Sequence, residues 1–343
     1  MIDLASTRTD VAVTIGPSSR DPACVEALVA AGIDIVRLGM CNGTREEHAR
    51  TVDLVREAAD KFDRPVRILA DLQGRKNRLG ALPGGRADWA AGETVELAAR
   101  PCRPTSHRTW TKHPWPEEHV RPGGSVLVDD GAVVLRVKDA ETGVLRCEVV
   151  QGGAVTSGRG VSMPGVVPDG NGLYEGDAED LRFALTLGVD IVALSFAYGR
   201  ADQEALRALA PDSVLMAKVE HPRTVDALDE VVEAFDGLMV ARGDLALEAG
   251  YENVPFIQKR TIAACRRAGA YSMVATQLLY SMQQHARPTR AEVSDVANAV
   301  LEGADSLLLA GETAFGRQPV GAVTTLRRII ARAERYRCEA GGA

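Results

Sequence analysis

The chain has 343 residues, 45% hydrophobic and 25% charged, with a formal net charge of −7 at pH 7. That length suits one large domain, or a large domain carrying a small insertion, in an ordinary soluble protein. The acidic balance gives no reason to expect a nucleic-acid or anionic-membrane surface, and no segment approaches the roughly 20 apolar residues that span a bilayer.

The N-terminal MIDLASTRTD lacks the basic and apolar regions of a signal peptide. Six scattered cysteines with no CxxC pair suit free thiols in a reducing cytoplasm, where the protein is expected to reside. The first strand-like runs are VAVTIG (11–16), DIVRLGM (34–40) and VRILADLQ (66–73), with an amphipathic helical stretch at 45–62. The rhythm then breaks. Residues 80–162 are rich in Gly and Pro and carry β-type runs such as TVELAA and SVLVDDGAVVLRVKD, with DDG and ETG as turns. Within this interval His107, His113 and His119 are spaced like no standard metal site, so a solvated loop is expected over 100–120.

Five further runs follow: DIVALSFA (190–197), VLMAKVE (214–220), GLMVARGD (237–244), YSMVATQ (271–277) and SLLLAGET (306–313). Helical stretches at 177–187, 222–235, 255–268 and 290–302 separate them. AAGIDIVRLGM (30–40), TLGVDIVALSF (186–196) and LEGADSLLLAG (301–311) repeat one unit: a helix end, a Gly cap, an Asp and a buried strand. EAFDGLMVARG (233–243) is a looser fourth copy. Eight such units predict a (β/α)8 TIM barrel, with a doubly wound open sheet as the competing architecture. The barrel would comprise 1–79 and 163–343, and 80–162 would be a small all-β, β-barrel-like lid inserted after strand 3. Gly/Pro-rich junctions near 80–85 and 164–172 would let that lid move.

Barrel chemistry gathers at the C-terminal strand ends. Strand five ends AKVE, so Lys218 and Glu220 point to the same side, and strand six ends ARGD, bringing Asp244 alongside. Two carboxylates beside a lysine suit Mg2+ or Mn2+; the same three residues could equally form a salt-bridge cluster. Arg37 ends strand two, Asp71 lies in strand three, and Arg78 follows in GRKNRLG. Ser195, Thr276 and Glu312 end strands four, seven and eight. Such a ring describes a pocket for a small dianion with carboxylate, phosphate or enolate oxygens.

The segments TIGPSS, DLQGRKNRLG, GVDIVALSFA, AKVEHPRTVDALDEVVEAFDGLMVARGDLALE, VATQLLYSM and RPTRAEVSDVANAVLEGADSLLLAGETAFG resemble the pyruvate kinase family. The likeness runs from residue 11 to about 335 and is most specific over 217–316. It implies a barrel with an inserted β domain and assembly as a homo-oligomer. It further implies Glu220 and Asp244 as Mg2+ ligands, and Lys218 beside the transferred phosphoryl group and the enolate oxygen. The backbone of Ala241, Arg242 and Gly243 would hold the substrate carboxylate, and Thr276 would lie near the methylene carbon. Arg37 and Ser195 would face the phosphate, with Arg78 and Glu312 also counted as substrate-binding. The family's C-terminal regulatory domain would begin where this sequence stops, so its effector site is not expected here.

One half of the site departs from the family pattern. Where the family has Arg-Leu-Asn-Phe-Ser-His-Gly, this chain reads RLGMCNG, so Gly39, Cys41 and Asn42 replace the Asn, Ser and His. SGRG (157–160) stands in place of SKKG, leaving Arg159 but not both lysines, and Ala310 and Phe315 replace a serine and a phosphate-binding lysine around GETA. DLQGRK, with Leu72 and Lys76, is similar to the branch that works without K+, a lysine ammonium standing in for the ion. The enolpyruvate and metal half is kept, while the ATP-phosphate half is depleted by about 1–3 kcal/mol per lost charged contact.

The leading expectation is therefore an Mg2+-dependent lyase or aldolase forming a pyruvate enolate without a nucleotide. It would act on pyruvate, phosphoenolpyruvate or a related 2-oxoacid by aldol, retro-aldol or decarboxylation chemistry. An aldehyde would be the second substrate, in a pocket made by Cys41, Asn42 and Phe315. The alternatives are a compact pyruvate kinase, transferring phosphoryl from phosphoenolpyruvate to ADP or another acceptor, and a non-catalytic ligand-binding barrel.

Overall fold

Eight parallel strands close into a barrel in the computed structural model, which describes residues 8–141, 143–167 and 173–341. They are β1 (Asp10–Thr14), β2 (Ile35–Gly39), β3 (Arg67–Leu72), β4 (Ile191–Leu194), β5 (Val214–Val219), β6 (Gly237–Ala241), β7 (Tyr271–Ala275) and β8 (Ser306–Leu309). Each pairs with its neighbours in sequence order, and β1 closes the ring on β8 with Asp10 opposite Ser306. That closure rules out the open sheet.

The strands are apolar throughout because both faces are buried, and their alternation decides where polar groups can emerge. On β5, Leu215, Ala217 and Val219 pack outward against the helices, while Met216 joins an inner layer with Ile35, Leu69, Ile191, Met239 and Leu308. Two residues further along three strands, the same inward direction delivers Arg37, Asp71 and Lys218 to the C-terminal mouth, and Ser195 follows four residues after Ile191. The site is thus the next layer of the barrel core, written in charged residues.

Helices fill the outer ring. Thr44 and Thr289 each start one with a reciprocal capping box, through Glu47 and Glu292. The stretch expected as one helix over 222–235 is two, Pro222–Asp226 and Leu228–Ala234, meeting at Ala227, whose φ of −95° and ψ of 20° leave the helical region. Among the described residues no helix is long and apolar enough to cross a membrane. The six cysteines are free.

Between β3 and β4 the chain builds two further sheets. Strands Ser125–Val128, Val133–Glu141, Val144–Gln151 and Thr94–Ala98 form an antiparallel meander, extended at its edges by Val161–Ser162 and Arg108–Trp110. A separate ribbon pairs Arg86–Trp89 with Gly153–Thr156. This insertion has its own apolar cluster, centred on Trp89, Leu97, Val126, Leu135 and Leu145.

The 100–120 loop is less solvated than expected. His113 is buried, stacked 4.1 Å from the Tyr174 ring, and its backbone N–H donates to Asn77 Oδ1 at 3.0 Å. Burial beside Lys112 and Arg75 pushes its pKa down to about 4. His107 instead pairs with Glu93 at 3.2 Å. Among the described residues no group of three or more His, Cys, Asp and Glu is arranged as a metal site. Residues 1–7, Thr142 of the ETG turn and 168–172 of the second junction lie outside the described residues.

Candidate active site

The barrel mouth opens into a cavity of about 530 Å3 that reaches from Arg37 and Lys218 to Asp130 and Arg159 of the insertion. At its floor, the buried Lys218 ammonium donates to Ser195 Oγ at 2.7 Å and lies 3.1 Å from Asp71 Oδ1 and 3.0 Å from Glu220 Oε1. Arg37 Nε donates to the other Asp71 oxygen at 2.6 Å, and its Nη1 to Thr14 Oγ1 at 3.2 Å. Asp71 therefore sits between two cations. Burial alone would raise its pKa, but Lys218 and Arg37 outweigh that and hold the carboxyl below the usual range. Lys218 is likewise held charged: burial disfavours the ammonium, while Asp71 and Glu220 shift its pKa above the ordinary lysine value.

The two carboxylates expected to hold a metal behave differently. Glu220 is fully buried and accepts from Phe196 N–H at 2.9 Å through Oε2, while no hydrogen-bond donor is aligned on Oε1 despite Lys218 nearby. Burial raises its pKa. Asp244, in the first turn of the helix Arg242–Ala249, receives Lys76 Nζ on both oxygens, at 2.6 and 2.8 Å. Burial pushes its pKa up, but Lys76 and Lys218 bring it below the usual value. A hard-oxygen pair with one under-coordinated buried oxygen fits a divalent ion that takes its remaining ligands from substrate and water.

Several expected residues serve the frame rather than the cavity floor. Glu312 lines the cavity, yet Oε1 accepts from Leu279 N–H at 3.1 Å and Oε2 from Ala310 N–H at 3.0 Å. Its carboxylate ties the β7 and β8 loops together. The Arg242 side chain turns back to Thr276 O, Gln277 O and Asp295, while the neighbouring Gly243 N–H donates to Thr276 Oγ1 at 2.8 Å. Thr276 thereby faces the helix N-terminus that begins after Ala241.

On the opposite wall, Arg78 bridges the barrel and the insertion, donating to Gly158 O at 2.9 Å and to Cys41 Sγ at 3.6 Å. Asn42 Nδ2 also donates to Cys41 Sγ, at 3.3 Å. A side chain at Gly39 would crowd the Asn42 amide and lie in ordinary contact with Arg37. Arg159 is held by Asp129 at 3.3 Å and Thr156 at 2.9 Å. Phe315 stands exposed at the rim.

A cluster behind the mouth escaped the sequence reading. Ser162, on the last strand of the insertion, donates to Glu248 Oε1 on the helix that carries Asp244. His221 Nδ1 accepts from Arg223 N–H at 3.1 Å, so its Nε2 carries the proton, 3.7 Å from Glu248 Oε2. The one available signal was spacing, since Glu248 lies one helical turn beyond Asp244.

Burial pushes the Glu248 carboxyl from 4.5 up to about 7. Between those values the folded chain keeps a proton that the unfolded chain has lost, so stability is full below pH 4.5 and falls as pH rises through 7. Glu248→Gln should therefore lose about 3 kcal/mol less than wild type between pH 5 and 8. Urea unfolding at the two pH values measures the difference, and parallel losses in both proteins would refute it.

The chain matches the family model described as pyruvate kinase, barrel domain, over residues 6–323. It is 45% identical over 334 residues to the pyruvate kinase of Mycobacterium intracellulare, covering 96% of this chain and 71% of that protein. The pyruvate kinases of Mycobacterium tuberculosis and Corynebacterium efficiens are each 44% identical over 331 residues, covering 95% of this chain and 70% of theirs. These similarities favour a phosphotransferase, and the expectation of carbon–carbon bond chemistry gains no support from them.

Proposed function

The chain belongs to the pyruvate kinase family, and from that membership we propose that it transfers a phosphoryl group from phosphoenolpyruvate to a nucleoside diphosphate. The observation that carries this reading is the pair of cations, buried Lys218 and half-buried Arg37, sharing Asp71 at the floor of the cavity. Two cations fixed in place by a shared carboxylate are pre-organised for a phosphate ester.

In this reading the phosphate of phosphoenolpyruvate lies against Arg37, Lys218 and Ser195, and its carboxylate at the helix N-terminus by Gly243. The bond from the enol oxygen to phosphorus breaks as a terminal oxygen of the acceptor bonds to phosphorus. The enolate left behind is neutralised by Lys218, and its methylene carbon then takes a proton beside Thr276 to give pyruvate. Glu220 and Asp244 would hold Mg2+, which would supply further positive charge for the phosphoryl and enolate oxygens. Residues 80–162 would act as a lid over the barrel of 1–79 and 163–343, a role supported by Asp130 and Arg159 in the cavity wall.

Mixing the protein with phosphoenolpyruvate, ADP and Mg2+ should give pyruvate at a rate proportional to enzyme. No pyruvate above the uncatalysed rate would sink the reading. Because Lys76 places an ammonium on both oxygens of Asp244, the rate in tetramethylammonium buffer should equal that in K+ within about twofold. A strict K+ requirement would show that Lys76 does not stand in for the ion.

A further inference from the structure

Strand β4 ends at Leu194 and runs into a buried turn, Ser195–Tyr198. Ser195 Oγ accepts from Lys218 Nζ at 2.7 Å, and Phe196 N–H donates to Glu220 Oε2 at 2.9 Å. That second donor is backbone, so the turn sets its direction and no rotamer can correct it. Phe196 has a φ of 52°, a left-handed conformation that a bulky residue keeps only where its surroundings impose it. Gly74 packs so closely against the turn that a Cβ there would lie 2.0 Å from Ser195 O. Asp202, in the first turn of the helix Arg200–Leu209, accepts from Tyr198 N–H at 2.7 Å through Oδ2 and from Arg75 Nη2 at 2.9 Å through Oδ1. The Arg75 guanidinium also lies over the Tyr198 ring, 5.3 Å from its centroid. Arg75 and Asp202 are buried, and neither lines the cavity.

We propose that Arg75 and Asp202 are positioning residues for the divalent ion: by locking this turn they keep Phe196 N–H on Glu220 Oε2 and leave Oε1 aimed at the metal. The proposal rests on the reading of Glu220 as a metal ligand given above. Gly74 and Arg75 are consecutive, so one short piece of chain after β3 both packs against Ser195 and, through Asp202, anchors Tyr198. The turn is thereby held at its two ends, with the left-handed Phe196 between them. A carboxylate whose first oxygen is already fixed by a donor offers its second in a single direction, which is how groups behind a ligand tune a metal site. Oε1 of Glu220 fits that part, since it is buried with no hydrogen-bond donor aligned on it. Asp202 suits its own role because a carboxylate has two acceptor oxygens, and here one meets the backbone while the other meets the guanidinium.

The test is Mn2+ affinity, read by electron paramagnetic resonance on the folded protein, in wild type, Arg75→Met, Asp202→Asn and the double variant. Asparagine offers a single acceptor oxygen, so Asp202→Asn leaves either Tyr198 N–H or Arg75 facing an amide NH2. Each single variant should weaken Mn2+ binding about tenfold, the usual scale for groups that orient a metal ligand. In the double variant the amide oxygen is free for Tyr198 N–H, and the loss should shrink to about threefold, well short of additive. A pair that merely stabilises the fold would lower urea midpoints and leave Mn2+ affinity alone. Affinity within about twofold of wild type in any folded variant therefore overturns the proposal. Where a single variant does not fold, the double variant decides, because it leaves no buried charge without its partner. Glu220→Gln checks the premise: it should abolish binding. Mn2+ affinity that survives that change overturns the metal placement and the proposal with it, while phosphoryl transfer to ADP is judged by its own assay.

Discussion

Lys218→Ala is expected to lower the rate of pyruvate formation about a thousandfold, because in the proposed reaction it removes a buried positive charge beside the developing enolate. The same change leaves Asp71 and Glu220 without the ammonium that lies 3.1 and 3.0 Å from them. An uncompensated buried carboxylate costs about 3–5 kcal/mol, so the variant should also unfold at lower denaturant. The two losses can be separated. Removing the Glu220 charge as well, in Lys218→Ala with Glu220→Gln, should recover part of the stability but none of the rate, since Asp71 keeps Arg37. Urea midpoints and coupled assays on the single and double variants read both quantities. A Lys218→Ala enzyme keeping more than about a tenth of the wild-type kcat would take Lys218 out of the chemistry.

The residues that make this site were legible to different degrees, for reasons that lie in backbone geometry. Strand alternation fixes the direction of a side chain, so Arg37, Asp71, Ser195 and Lys218 could be read as facing one mouth from their spacing alone. Their mutual pairing could not. Asp71 was visible only as an acid within a strand, and its position between Arg37 and Lys218 follows from the pairing of β3 with β2 and the curvature that brings β5 within reach. Rotamers were still less visible. In ARGD, nothing in the spelling tells whether Arg242 reaches for substrate or back towards its own scaffold. Glu312 in AGET poses the same problem, since its two oxygens are claimed by backbone amides of two different loops. Contacts across the insertion, such as Ser162 with Glu248, join residues 86 apart and leave no local pattern to read. The carbon–carbon chemistry expected from the depleted phosphate side gains no support, for a related reason. Gly39, Asn42 and Phe315 read in sequence as missing contacts, whereas Arg78 and Arg159 also line the cavity.

Arg242→Ala should be among the most damaging substitutions in the chain although the Arg242 side chain does not line the cavity. Its guanidinium donates to Thr276 O at 3.1 and 2.8 Å, to Gln277 O at 3.0 Å and to both Asp295 oxygens at 2.8 and 2.7 Å. The two carbonyls belong to residues in the left-handed region, with φ of 71° at Thr276 and 55° at Gln277. Neither is glycine, and each such residue costs on the order of 1–3 kcal/mol unless its surroundings hold it there. Arg242 supplies that hold, since its rigid fork meets both carbonyls at once. Without it the turn should relax, carrying Thr276 away from Gly243 N–H and, in the proposed reaction, from the methylene carbon. Loss of about 3–5 kcal/mol and a fall in Tm of about 5–10 °C are expected, with kcat down at least tenfold. Arg242→Lys keeps the charge but cannot reach both carbonyls and Asp295 together, so it should recover less than half of the lost Tm. Asp295→Asn removes only the half-exposed partner and should cost no more than about 1 kcal/mol. Calorimetry and steady-state kinetics on the three variants decide the matter: a Tm for Arg242→Ala within about 2 °C of wild type would mean that the turn holds its left-handed backbone unaided.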